Sequence, residues 1–207
     1  MAGKQSRKEI ELEQRKEYIL DRASELFSEL GYENTSVAMI AEKSEFSVGT
    51  VYNIFPSKND IYSELIYRDV KKIKDRNAEI AQSDINPLDK IYRLIEINIS
   101  TFLEHHNCIK MLVDDLTHFE WGMPHNFGKK EMNLFKELVT IDESILTEAR
   151  DKGFLRDDID IRNMVRIQRR LVNAYMMASI QKQEELDIKK TSKEIFDVMM
   201  NGLGKKK

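Results

Sequence analysis

TSVAMIAEKSEFSVGTVYNIFPSK, residues 35–58, is the stretch that decides the fold. It holds two short helical patterns back to back. The first places Val37, Ile40 and Ala41 on one side, at offsets of three and four. The second turns Val51, Ile54 and Phe55 inward and leaves Ser47, Val48, Thr50, Tyr52 and Asn53 facing outward. Neither is long enough to be stable alone. Between them, Ser44-Glu45-Phe46-Ser47 forms a tight turn, closed by a serine that can cap the second helix. Two such helices crossing steeply, the second edged with hydroxyls and an amide, make a helix-turn-helix unit shaped to enter a major groove.

The flanks extend this unit. Residues 1–10 read as a polar, mixed-charge arm expected to be disordered. From Glu11 to Leu30 an amphipathic helix carries Ile19, Ala23, Leu26, Phe27 and Leu30 on one stripe, and Gly31 is its natural stop. Thr35 or Ser36 caps the next helix. Pro56 ends the second short helix, and Ser57-Lys58-Asn59-Asp60 starts a long one that fades near Ile80. The expected division is a helix-turn-helix domain over 11–57 and a larger helical domain over 58–207.

In that larger part, Asn86-Pro87 opens a fifth helix with Leu88, Ile91, Ile95, Ile99 and Phe102 inward. A sixth is expected over about Cys108 to Thr117, followed by a loop from His118 to Gly128. A seventh runs to Lys152, where Gly153 ends it and Phe154 folds back on Ala149. Asp158 or Asp160 caps the eighth, with Ile161, Met164, Val165, Leu171, Val172, Tyr175 and Met176 inward. Thr191-Ser-Lys-Glu194 reads as a capping box for the ninth, with Ile195, Phe196, Met199 and Leu203 following. The class is all-α, with about nine helices and no competing strand pattern.

Bulk composition agrees. Hydrophobic residues make up 41% of the 207-residue chain, which has only three Pro and eight Gly. A single Cys108 excludes an internal disulfide framework and fits the cytoplasm. The amino terminus lacks the apolar stretch of a signal peptide, and no apolar run approaches the ~18 residues of a membrane span. The net charge of −3 is unlike that of a strong nonspecific nucleic-acid binder. Placement matters more, since a charge reaches only roughly 8–10 Å at physiological salt. Lys4, Arg7 and Lys8 lie on the arm, and Lys43 and Lys58 flank the reading helix. Weak nonspecific affinity, with reliance on paired half-sites, is therefore expected.

Thr35-Ser36-Val37, Ile40-Ala41-Glu42, Ser47-x-Gly49-Thr50-Val51-Tyr52 and Phe55-Pro56-Ser57-Lys58 resemble the amino-terminal domain of the tetracycline-repressor (TetR) family. The resemblance covers roughly residues 12–66, about a quarter of the chain. It implies a dimeric, non-enzymatic transcriptional regulator, here a repressor of a palindromic operator released by a small molecule. The implied DNA-facing residues are Thr35, Ser36, Ser47, Val48, Gly49, Thr50, Tyr52, Asn53 and Lys58. Gly49 would allow close approach to the groove wall, and Lys58 would hold phosphate at a helix start. Four positions depart from the family pattern. Glu45 replaces a common turn glycine, Ile54 replaces an aromatic or His, and Ala38 and Val48 offer only apolar contact to bases.

For the effector, Tyr92, Met111, Asp115, His118, Phe119, Trp121, Phe127 and Tyr175 form the candidate lining, aromatic and apolar with a few polar groups. Ordinary core packing is the alternative for each. Asp114 and His118 share a helix face, near His105, His106, Cys108 and His125, but no third ligand is fixed by spacing, so neither metal nor cofactor is expected. Arg166, Arg169 and Arg170 could meet an acidic ligand or form an ion-paired face. The last two helices, from about 160 and 191, are the expected homodimer seam. An adaptor that binds DNA but no small molecule is the alternative function. No nucleophile-base set or phosphate-cradling loop supports an enzyme.

Overall fold

A computed structural model describes residues 6–104, 128–182 and 186–204. Among them, eight helices follow in order: α1 (Arg7–Leu30), α2 (Val37–Lys43), α3 (Val48–Ile54), α4 (Lys58–Gln82), α5 (Pro87–Glu104), α6 (Lys129–Asp151), α7 (Ile161–Lys182) and α8 (Ile188–Leu203). The helix expected over Cys108–Thr117 lies outside the described residues. The only β pairing among those described is a single bridge between Leu155 and Gly204. No described helix is long and apolar enough to cross a membrane. Two compact units divide the chain between Ile66 and Tyr67, inside α4 and nine residues beyond the division at 57/58 read from sequence.

The first unit is α1–α3 and the start of α4. Ile19, Leu20, Ala23, Leu26 and Phe27 of α1 are buried with Ile40, Val51, Phe55, Ile61 and Leu65. The helix begins at Arg7 rather than Glu11, because Ser6 and Glu9 cap each other's backbone reciprocally. That Ser-x-x-Glu signal stood in the sequence, inside the stretch read as an arm. Around the same core, Phe27, Tyr32 and Tyr62 meet with ring centroids 5.3–6.2 Å apart.

In the second unit α5 packs on α6 and α8, and α7 on α5, α6 and α8. Ile91, Leu94, Ile95 and Ile99 of α5 are buried with Leu138, Ile145, Leu146 and Ala149 of α6. Helix α6 ends in a Schellman motif: Phe154 N–H donates to Ala149 carbonyl at 3.0 Å, and Gly153 N–H donates to Arg150 carbonyl at 2.8 Å. Gly153 supplies the left-handed residue, at φ +79. The capping box expected at Thr191 does not form. Asp187 caps instead, accepting from Lys190 N–H at 3.0 Å. The helix therefore starts one turn earlier, and Thr191 and Ser192 are buried inside it.

Candidate nucleic-acid interface

Helix α3 is held by its ends and by one face. Ser47 accepts from Thr50 N–H at 3.1 Å, capping the helix. The Ser47 and Thr50 hydroxyls also share a hydrogen bond of 2.8 Å. Val51 and Phe55 are buried and anchor the inner side. What remains outward is Ser47, Val48, Gly49, Tyr52 and Asn53, all exposed, with Thr50 half-buried. Tyr52 is 48% exposed and Val48 41%, high values for large side chains on a seven-residue helix.

The turn feeding this helix is a second Schellman motif. Phe46 N–H donates to Ala41 carbonyl and Glu45 N–H to Glu42 carbonyl, each at 3.0 Å. Glu45 occupies the left-handed position at φ +58, where a non-glycine residue is strained. The strain is held in place from both sides. Ser44 is buried and its hydroxyl donates to Ile40 carbonyl at 2.7 Å, while Phe46 packs edge-on against Tyr18 at 6.3 Å.

Gly49 is not required by the protein itself. A Cβ there would meet only Ser47 Oγ, at 3.9 Å. Glycine inside a helix costs roughly 0.5–1 kcal/mol relative to alanine, with no compensating contact inside the unit.

Other expected residues fall as follows. Ser36 is exposed and caps α2, accepting from Met39 N–H at 3.2 Å. Thr35 departs from the expected DNA-facing set. It is 2% exposed, and its hydroxyl donates to Gly31 carbonyl at 2.8 Å, so it secures the α1–α2 connection instead. Lys58 is half-buried. Its ammonium donates to Tyr32 carbonyl at 2.7 Å and sits 4.0 Å above the Tyr32 ring, which leaves further N–H donors at the start of α4. Lys43 is ion-paired with Glu25 at 3.2 Å and Glu29 at 3.3 Å, so its charge is locally balanced.

Of the expected effector lining, only Tyr92 and Tyr175 fall among the described residues. Tyr92 packs edge-on against Phe196 at 5.7 Å and donates its hydroxyl to Lys189 carbonyl at 3.3 Å, which ties α5 to α8. Tyr175 is half-buried on α7. Met111, Asp115, His118, Phe119, Trp121 and Phe127 lie outside the described residues, as do Asp114, His105, His106, Cys108 and His125. Among the described residues no His, Cys, Asp or Glu group has metal-holding geometry.

Sequence reasoning missed a buried polar cluster in the second unit. Asp142 on α6 is 2% exposed and accepts from Asn77 Nδ2 of α4 at 2.9 Å and from Arg169 Nη1 of α7 at 2.7 Å. Burial pushes the Asp142 carboxyl above its ordinary value, opposed by the adjacent guanidinium. Lys90, 4% exposed, likewise joins Glu148 at 2.7 Å and Ala81 carbonyl at 3.0 Å. The only available signal was one of polar residues interrupting apolar stripes.

Taken together, a rigid seven-residue helix with an exposed hydroxyl, phenol and amide edge defines a DNA-binding protein of the helix-turn-helix class. Residues 19–65 match the family described as bacterial regulatory proteins, tetR family. The fatty acid metabolism regulator protein of Bacillus subtilis is 22% identical over 189 residues, 91% of this chain and 95% of that one. The repressor KstR2 of Mycobacterium tuberculosis is 24% identical over 143 residues, 69% of this chain and 70% of its own. Among solved structures, Bacillus subtilis FadR in complex with stearoyl-CoA superposes with a TM-score of 0.74 at 22% identity, covering 90% of this chain and 98% of that one. Residues 19–65 thus form a tetR-family DNA-binding domain, in a chain similar over most of its length to transcriptional regulators.

Proposed function

We propose that this regulator is a cytoplasmic repressor that binds a palindromic operator as a homodimer and is released by a small molecule. The outward face of α3 carries the reading. Tyr52 and Val48 are exposed over a fixed apolar underside, and beside them is a glycine for which the chain itself offers no reason. A groove wall approaching Gly49 supplies that reason. In the complex, Thr50 and Tyr52 hold phosphate or base edges, Ser36, Ser47 and Asn53 add polar contacts, Val48 meets a thymine methyl, and Lys58 reaches phosphate.

Helices α7 and α8 are the proposed seam, supported by Ile167 at 43% and Val198 at 52% exposure on these two elements. Two-fold pairing sets the recognition helices about 34–36 Å apart, one turn of duplex. Helix α4 runs unbroken from Lys58, next to the reading helix, into the second unit, and so offers a route for effector binding to reach the DNA side. By resemblance to the regulator solved with stearoyl-CoA, the proposed effector is an acyl-CoA or another ligand with a long apolar body. Tyr92 and Tyr175, with Met111, Asp115, His118, Phe119, Trp121 and Phe127, remain the candidate lining. Each ~1.4 kcal/mol by which the effector favours the DNA-free state gives tenfold release.

The test is enrichment of random duplexes on the purified chain, followed by titration of the winning site. A two-fold symmetric site bound by a dimer, and released by an acyl-CoA, is the expected result. An asymmetric site bound by a monomer would overturn the reading. Operator affinity indifferent to every ligand that binds would favour an adaptor without an effector.

A further inference from the structure

We propose that Asp142 and Lys90 form a two-point polar latch on the second half of α4, so that operator affinity depends on whether the latch is closed. The latch rests on the α4 route proposed above and supplies the contacts that make that route switchable.

Helix α4 is held differently along its length. Up to Val70 its inward residues are mostly apolar, with Ile61, Tyr62, Leu65, Ile66 and Val70 all buried. Over residues 71–82, Asn77 and Ile80 are buried and the rest are half-buried or exposed. Beyond Ile80, the fastening of this stretch among the described residues is polar. Asn77 donates from Nδ2 to Asp142 Oδ1 at 2.9 Å, and Arg169 of α7 donates from Nη1 to Asp142 Oδ2 at 2.7 Å. One turn further along α4, Lys90 of α5 donates to Ala81 carbonyl at 3.0 Å and to Glu148 Oε2 at 2.7 Å. Ala81 lies in the last turn of α4, where carbonyls lack a partner within the helix and the dipole favours a cation. Both points reach α6, one at Asp142 and the other at Glu148.

Apolar packing is non-directional and tolerates small slides. A hydrogen bond weakens steeply outside its geometry, and a buried charge left without its partner is costly. Asp142 is 2% exposed and Lys90 4%, so neither can turn to water when α4 moves. The end of α4 is therefore seated on both points or released from both, which gives the helix two discrete positions. Lys74 provides the contrast within the same helix. It also bridges to α6, at Glu137 over 3.3 Å, but the Glu137 side chain is 60% exposed, so that pair can part at little cost.

The experiment measures affinity for the enriched operator duplex, by fluorescence anisotropy on the full-length protein, in wild type, Asp142→Asn, Lys90→Met and Lys74→Met. An amide has one acceptor oxygen, so Asp142→Asn can serve Asn77 or Arg169 but not both. Lys90→Met keeps the stem and removes the ammonium. Both variants are expected to move operator affinity about fivefold or more, in the same direction, with Lys74→Met within about twofold of wild type. Unchanged affinity in a folded Asp142→Asn, opposite directions in the two latch variants, or an equal effect of Lys74→Met would overturn the latch. So would a fall in melting temperature with no change in the affinity of the folded protein, the mark of a purely structural role. If Asp142→Asn fails to fold, the contrast between Lys90→Met and Lys74→Met decides. Stearoyl-CoA is then titrated into each complex. A latch variant that binds operator more weakly should be released at lower stearoyl-CoA, and one that binds more tightly at higher. Half-release that does not follow operator affinity in this way counts against the latch. If stearoyl-CoA does not release wild type, that effector falls, and the operator affinities alone decide the latch.

Discussion

The two units bury polar groups in opposite ways. In the first, the buried polar residues are Thr35 and Ser44, small hydroxyls that donate to carbonyls of the preceding few turns. They finish local helix ends and demand nothing further. In the second, the buried set includes Asn77, Lys90 and Asp142, side chains whose partners sit on other helices, together with Gln168. Asn77 and Gln168 keep an acceptor that no described residue satisfies. The contrast separates a part whose buried hydroxyls are satisfied by nearby carbonyls from a part whose buried charged and amide side chains join distant helices. A rigid reader suits the first arrangement, and a responsive domain suits the second.

The sharpest way to break this comparison is Asp142→Ala. It leaves Arg169 and Asn77 without their shared acceptor and should cost about 3 kcal/mol, measured by urea unfolding. A loss no larger than the ~1–2 kcal/mol expected for Ser44→Ala would mean that the long-range polar contacts carry no special weight.

Tyr52→Ala sharpens the other side. Operator affinity should fall about tenfold or more, roughly 1.4 kcal/mol, while the melting temperature stays unchanged, because the ring is half out of the fold. A drop in stability of similar size would place Tyr52 in the scaffold instead.

The paired Schellman turns give a smaller, internally controlled test. Glu45 at φ +58 and Gly153 at φ +79 fill equivalent positions. Glu45→Gly should stabilise by about 1 kcal/mol, and Gly153→Ala should destabilise by a similar amount. If Glu45→Gly also weakened operator binding, the strained turn would be part of the reading geometry rather than a tolerated departure.

The smallest effect concerns pH. Desolvation holds the folded Asp142 carboxyl above its ordinary value of 3.8, so the folded state takes up this proton more readily than the unfolded chain. The contribution is fully present below the ordinary value and is lost as pH rises through the folded one. Acidification from neutral pH should therefore stabilise wild type relative to Asp142→Asn, whose amide does not titrate. A constant difference in unfolding free energy across that range would refute the assigned protonation behaviour.

Residues 35–58 were legible because their determinants are local. A capping serine, a turn and two or three apolar positions per helix act within a few residues, and Ser36, Ser47, Val51 and Phe55 take the places their spacing implies. Gly153 and Phe154 were readable for the same reason. Capping signals failed where two competed. Asp187 started α8 a turn before Thr191, and Ser6 with Glu9 started α1 inside a stretch too polar to suggest order.

By itself, then, the chain's order of residues determined an all-helical protein with a groove-shaped reading helix, since helix periodicity and capping are short-range effects. Tertiary structure alone decided that Thr35 turns inward, that Lys58 rests on Tyr32, and that Asn77, Asp142 and Arg169 meet across 65 and 27 residues of intervening separation. Those contacts depend on which helix faces close upon one another, and the free energy of burying a carboxylate beside a guanidinium exists only once they have.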